Sequence, residues 1–282
     1  MRLTIPKRLA VTCRRSPDRK EWLSNLPTVV DRLCSEWSLD LGAPFDNSGA
    51  GWVTPDRNRL VVLKVGMPHM EADQEIAGMR FWNGEGTARV IEYDEACNAL
   101  LLERCEPGTP LRELPEPEQD IILTGLLKRL WQIPPAPHPF RPLSEMTASW
   151  SASARRRSKK WFDPGIVEEG LRLFEELPRT ADRKVLLATD LHAGNVLAAH
   201  REPWLVIDPK PFIGDPAYDV TQHLFNTERR LLADPDRTIR RVADLLEIDY
   251  ERVCLWVFAR AAIDPPGGPR QTVHAFIRSI AP

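Results

Sequence analysis

The loop Leu187-Ala188-Thr189-Asp190-Leu191-His192-Ala193-Gly194-Asn195-Val196-Leu197, followed one strand later by Val206-Ile207-Asp208, constrains the fold more than any other stretch of the chain. A carboxylate at 190, an amide at 195 and a second carboxylate ending an apolar run can meet at one point if the apolar stretches 196–199 and 204–207 form a hairpin. Such a meeting suits a hard divalent cation. Mg²⁺ takes oxygen ligands, usually a carboxylate plus an amide oxygen, and completes its octahedron with phosphate oxygens. Asn195 and Asp208 supply those two oxygens. Asp190 stands on the same loop without being needed as a ligand, and a carboxylate so placed can take the proton of an attacking hydroxyl.

The chain around this loop, 282 residues and 32.1 kDa, exceeds the usual single-core domain and reads as two regions, 1–104 and 105–282. Residues 1 to 20 are basic and without periodicity, a lead-in segment. From Trp22 to Trp37 the apolar positions share a helical face, with Pro27 expected to start the main helix. Leu60 to Val65 is a β-branched run and reads as a buried strand; 88–92 and 99–103 read as further strands. Pro68 opens a helix through Trp82 that stops at Asn83-Gly84, which puts Glu71 and Glu75 one turn apart on one face. After Pro107-Gly108 helical spacing takes over at 118–133 and 166–177, short apolar strands follow at 184–187, 196–199 and 204–207, and helices resume from Pro216.

Composition narrows the partners. Lys and Arg number 38 against 40 Asp and Glu, a net charge of −2, so no global field points to nucleic acid. The one dense basic run, Arg155-Arg156-Arg157-Ser158-Lys159-Lys160, reads as a solvated helix face. No apolar run approaches the roughly 20 residues of a bilayer span, and none follows the basic N-terminus as the core of a signal segment. The expected location is the cytoplasm, the expected membrane contact none. Five scattered cysteines without a C-x-x-C pair read as free thiols. With no long heptad or flat apolar edge, a monomer is expected.

The Asp-x-His-x-x-Asn spacing with its strand-end Asp, continued by Pro209-Lys210-Pro211-Phe212-Ile213-Gly214-Asp215-Pro216-Ala217-Tyr218-Asp219, resembles the aminoglycoside phosphotransferase family, relatives of protein kinases. It looks most like the streptomycin 6-kinase and hydroxyurea kinase branch. The resemblance implies the α+β class and a bilobal protein-kinase-like fold, with a small mixed-β lobe binding nucleotide and a larger, mainly helical lobe. It also implies ATP- and Mg²⁺-dependent phosphorylation of a small-molecule hydroxyl, GTP staying open as a donor. By position, Asp190 corresponds to the catalytic base, Asn195 and Asp208 to metal ligands, His192 to a histidine that props the loop, and Asp219 to an acid that pins it. Lys64 fits the lysine bridging the α- and β-phosphates, with Glu75 preferred to Glu71 as its partner. Ser48-Gly49-Ala50-Gly51 fits a backbone cover over phosphates, although the full G-x-G-x-x-G pattern is absent; Glu103 and Cys105 resemble a hinge offering backbone groups to adenine. Asp215 reads as a helix N-cap ahead of Pro216 or as a substrate contact, and Asp264, with Trp256 and Phe258, as a pocket residue. An aminoglycoside such as streptomycin is the expected acceptor, with hydroxyurea or another metabolite as alternatives. A catalytically dead nucleotide-binding regulator runs against the joint retention of Lys64, Asp190, Asn195 and Asp208.

Two positions depart from the family pattern. Ala188-Thr189 stands where His-Gly is usual; a threonine hydroxyl can replace a loop hydrogen bond, but the glycine's backbone freedom is lost. Asp208 is followed by Pro209-Lys210 and not Phe-Gly, with Lys210 directed either at the γ-phosphate or at solvent.

Overall fold

The β-branched run around residue 62 forms the strand Val61–Gly66, a central member of an antiparallel sheet ordered Gly51–Pro55, Val61–Gly66, Ala99–Glu103, Val90–Asp94. The computed structural model describes residues 3–46, 49–158 and 163–282. The chain divides into two units, the first running to Gly108 and taking back Ala199–Leu205, the second holding Thr109–Ala198 and Val206–Pro282.

In the first unit Trp52, Leu63, Val65 and Leu101 of the sheet are buried in one cluster with Leu26, Val30 and Leu33 of the helix Pro17–Glu36. Leu9 and Cys13 of a short helix, Lys7–Cys13, complete that cluster. The basic lead-in is therefore part of the core, which its charge had masked: two apolar side chains four residues apart suffice to bury one face of a seven-residue helix. Pro27 lies inside the longer helix, which starts at Pro17. The missing hydrogen bond at Pro27 costs on the order of 3 kcal/mol, which the buried stripe Leu26, Val30 and Leu33 offsets at about 1.5–3 kcal/mol per side chain. Pro68 does not open the next helix: Met70–Ala72 is a single 3-10 turn, and the helix Glu75–Trp82 begins after it. Its end matches the Asn-Gly stop, with Asn83 and Gly84 at φ 47° and 82°.

The second unit is helical around a small antiparallel pair, Val185–Leu187 with Phe212–Gly214. Its center is aromatic: Trp256 lies edge-on to Phe174 at 5.9 Å and to Tyr218 at 5.1 Å between ring centroids. The helices Pro164–Glu176 and Tyr250–Ile263 pack so closely that a Cβ on Gly170 would fall 2.5 Å from that of Ala262. Of the basic run, Arg155 meets Glu168 and Glu175 at 3.1 and 3.4 Å on the surface; Lys159 and Lys160 lie outside the described residues.

Candidate active site

In the first unit the middle of the strand Val61–Gly66 presents Lys64, and the first turn of Glu75–Trp82 presents Glu75. The ammonium and the Glu75 carboxylate form an ion pair with side chains only 8% and 2% exposed. A lysine so buried needs a carboxylate beside it. Glu71 sits in the preceding 3-10 turn, so the helix start, seven residues later than the Pro68 the sequence suggests, selects Glu75. Gly51 opens the first strand opposite Gly66, where a Cβ would stand 2.7 Å from the Val65 carbonyl oxygen. Gly49 lies beside the Arg8 guanidinium, and Ser48 falls outside the described residues. Glu103 ends its strand with its N–H donating to the Arg89 carbonyl at 2.9 Å. Its carboxylate accepts from Arg89 N–H at 2.8 Å and from Arg201 Nε at 3.0 Å. Arg201 also donates to the carbonyls of Gly84 and Thr87, each at 2.8 Å. No local pattern marks Arg201 in the sequence. Cys105 is half-buried, and burial with the neighbouring Glu103 charge pushes its thiol up to about 11.

In the second unit the buried strand Val185–Leu187 runs into a three-residue turn closed by Asp190 N–H donating to the Ala188 carbonyl at 2.6 Å. His192 Nδ1 accepts from Gly194 N–H at 3.0 Å and so caps the next turn, Ala193–Asn195. Asn195 Nδ2 donates to the Asp190 carbonyl at 3.0 Å, and the Asn195 carbonyl accepts from Ile207 N–H at 2.8 Å. These bonds bring the Asp190 loop, Asn195 and the Asp208 segment together. Asp208, at φ 58°, pairs with the ammonium of Lys210, which is buried at 2% exposure and so does not face solvent. Because the Asn195 amide nitrogen is engaged, its side-chain oxygen is the donor left for a cation. One amide oxygen and one carboxylate suit Mg²⁺, which keeps water and phosphate ligands of its own. The Lys210 ammonium already shows Asp208 accepting a cation. Among the described residues no group of three His, Cys, Asp or Glu forms a metal cage.

Residues 52–265 match the family described as aminoglycoside/hydroxyurea antibiotic resistance kinase. The chain belongs to this family. The streptomycin 6-kinase of Streptomyces griseus is 34% identical over 276 residues, covering 91% of this chain and 88% of that protein. The hydroxyurea phosphotransferase of Kitasatospora aureofaciens is 32% identical over 251 residues, covering 86% and 72%. The choline kinase LicA of Streptococcus pneumoniae superposes with a TM-score of 0.64 at 9% identity, over 91% of this chain and 97% of LicA. This kinase of the family thus has the protein-kinase-like α+β fold and is a phosphotransferase acting on small molecules.

Behind the kinase's loop, Asp219 is fully buried and accepts from Ala188 N–H and from Trp131 Nε1, each at 3.0 Å. Burial outweighs those donors and raises its carboxyl to about 6. Trp131, 88 residues away, carries no sequence signal for this contact. Burial also lowers His192 from its ordinary value, opposed by the Asp208 charge. Both carboxylate oxygens of Asp215 are engaged within the fold: Oδ1 caps a helix at Ala217 N–H, 3.0 Å, and Oδ2 accepts from Arg252 Nε and Trp256 Nε1 at 2.6 and 2.7 Å. Trp256 and Phe258 are core, at 0% and 1% exposure, because the helix Tyr250–Ile263 is apolar nearly all round. Asp264 is exposed just past the end of that helix. No helix among the described residues is long and apolar enough to cross a membrane.

Proposed function

We propose that this kinase transfers the γ-phosphoryl group of ATP to a hydroxyl of an aminoglycoside of the streptomycin type. The observation that carries the reading is the 33% and 34% identity to two streptomycin 6-kinases, each over 91% of the chain. ATP as donor is supported by the buried Lys64–Glu75 pair and by LicA, which has been solved with AMP. In this reading Lys64, held by Glu75, meets the α- and β-phosphates, and the backbone at Glu103 and Cys105 meets the base. Asn195 and Asp208 hold Mg²⁺. Magnesium, when bound, neutralises charge on the phosphate oxygens. Asp190 orients the acceptor hydroxyl and takes its proton, while His192 and Asp219 keep the loop in place. A hydroxyurea acceptor is the second reading, favoured by the 32% identity to a hydroxyurea phosphotransferase.

ADP release against a panel of aminoglycosides and hydroxyurea, with mass analysis of the product, tests this. Streptomycin is expected to give Mg²⁺-dependent ADP release and a phosphorylated product, and Asp190→Asn to lower kcat by about 10²–10⁴-fold with nucleotide affinity kept. Unchanged turnover in Asp190→Asn removes it as the base, and ADP release with hydroxyurea alone transfers the acceptor assignment there.

A further inference from the structure

The turn that carries Asp190 is bent at a residue poorly suited to bend it. Thr189 sits at φ 37°, in the left-handed region that a β-branched side chain rarely occupies and that glycine enters freely. The turn is closed after only three residues, by Asp190 N–H on the Ala188 carbonyl, which makes Thr189 its apex. A strained residue persists where its surroundings over-determine it. Here two buried residues hold the turn: Asp219 accepts from Ala188 N–H at 3.0 Å, and Lys210 makes two bonds to the turn. Thr189 Oγ1 donates to the Lys210 carbonyl at 2.6 Å, and Lys210 N–H donates to the Ala188 carbonyl at 2.8 Å. Both partners are buried, Thr189 at 6% and Lys210 at 2% exposure, so water does not compete for these bonds. The Lys210 side chain in turn pairs with Asp208.

We infer that Thr189 is a positioning residue whose hydroxyl clamps the Asp190 turn to the Asp208–Lys210 segment and so sets the distance between them. The inference rests on the roles proposed above for Asp190 and Asp208. Glycine at 189 would take the same φ without strain but would leave the Lys210 carbonyl without this donor; threonine accepts the strain and supplies it. The clamp acts before any substrate arrives, as a preset geometry for proton removal and not as a binding contact.

Three variants test it. Thr189→Val keeps the branched shape and removes the hydroxyl, Thr189→Ser keeps the hydroxyl, and Thr189→Gly removes both hydroxyl and strain. Expected is a fall in kcat of about 10- to 100-fold for the Val and Gly variants with the KM for ATP within about twofold, and recovery to within about threefold of wild type in the Ser variant. Amide hydrogen exchange in the nucleotide-free protein is the second readout: exchange across 187–191 should quicken in the Val and Gly variants and stay at the wild-type rate in Ser. Should the Val variant fail to fold, the unstrained Gly variant decides. Wild-type kcat in a folded Val or Gly variant, equal losses in Val and Ser, or unchanged exchange overturns the clamp. If the wild type phosphorylates no acceptor, the proposed function fails while the exchange arm still judges the clamp.

Discussion

Lys64 and Glu75 show at the residue scale why a buried charge is informative. Each is nearly solvent-free, so each depends on the other, and removing one partner of such a pair costs about 3–5 kcal/mol. Glu75→Gln is accordingly expected to lower both the melting temperature and ATP affinity. A Lys64→Met, Glu75→Leu double variant should regain most of the stability, since apolar replacements tolerate burial, without regaining ATP affinity; thermal unfolding and calorimetric titration of both variants separate the two roles. If the double variant binds ATP as wild type does, Lys64 is structural. The lysine was legible only beside the downstream constellation of Asp190, Asn195 and Asp208, since a lone lysine on a strand more often faces solvent. Its partner was legible only as a choice of two, because Glu71 and Glu75 share a helical face only if the helix begins before both.

Helices read from periodicity left their packing contacts unread. Asp120 falls in the helix Glu116–Leu130 and is 0% exposed, a burial that the helical spacing does not announce. It accepts from His223 Nε2 at 2.7 Å, Arg230 at 2.7 and 2.8 Å, and Arg241 Nε at 2.8 Å, tying its helix to Thr221–Asn226, Glu228–Ala233 and Pro235–Leu246. Asp120→Ala removes the acceptor of four N–H groups on three side chains and is expected to cost at least about 3–5 kcal/mol in a denaturant titration; a loss under 1 kcal/mol, the size of a surface pair, would show the network to be dispensable. Gly170 is the opposite case, a position defined by what is missing. A side chain there meets Ala262 at 2.5 Å, so Gly170→Val should separate two helices and destabilise by about 1–3 kcal/mol or more. Unfolding midpoints check it.

For the whole molecule, two buried carboxyls give stability a predictable pH dependence with opposite signs. Burial would raise Asp120, but the hydrogen bonds from His223 and Arg230 outweigh it and hold the group well below the usual range. Its contribution is therefore present above the unfolded value near 4 and is lost as pH falls below it. Asp219 is raised from 3.8 to about 6, so its contribution is complete below 4 and is lost as pH rises through 6. Stability should peak near pH 4 in respect of these two groups, and Asp219→Asn should remove the decline between 4 and 6, worth on the order of 3 kcal/mol. Melting temperatures from pH 3 to 8 for wild type and variant test this; parallel curves would mean that Asp219 does not titrate in that window.

What the sequence determined by itself is local. The spacing of Asp190, Asn195 and Asp208 spans one short hairpin, so neighbours along the chain are also neighbours in space, and the strand through Lys64 and the body of the helix ending at Trp82 announce themselves by their own pattern, though not where that helix starts. What only the tertiary structure decided involves partners far apart in the chain: Trp131 on Asp219, Arg201 on Glu103, and three helices on Asp120. It also turned the basic N-terminus into core and gave the Asp215 cap its distant partners, Arg252 and Trp256. The physical reason is that a charge is written the same way in the chain whether water or another side chain will solvate it, and only the packed faces settle which.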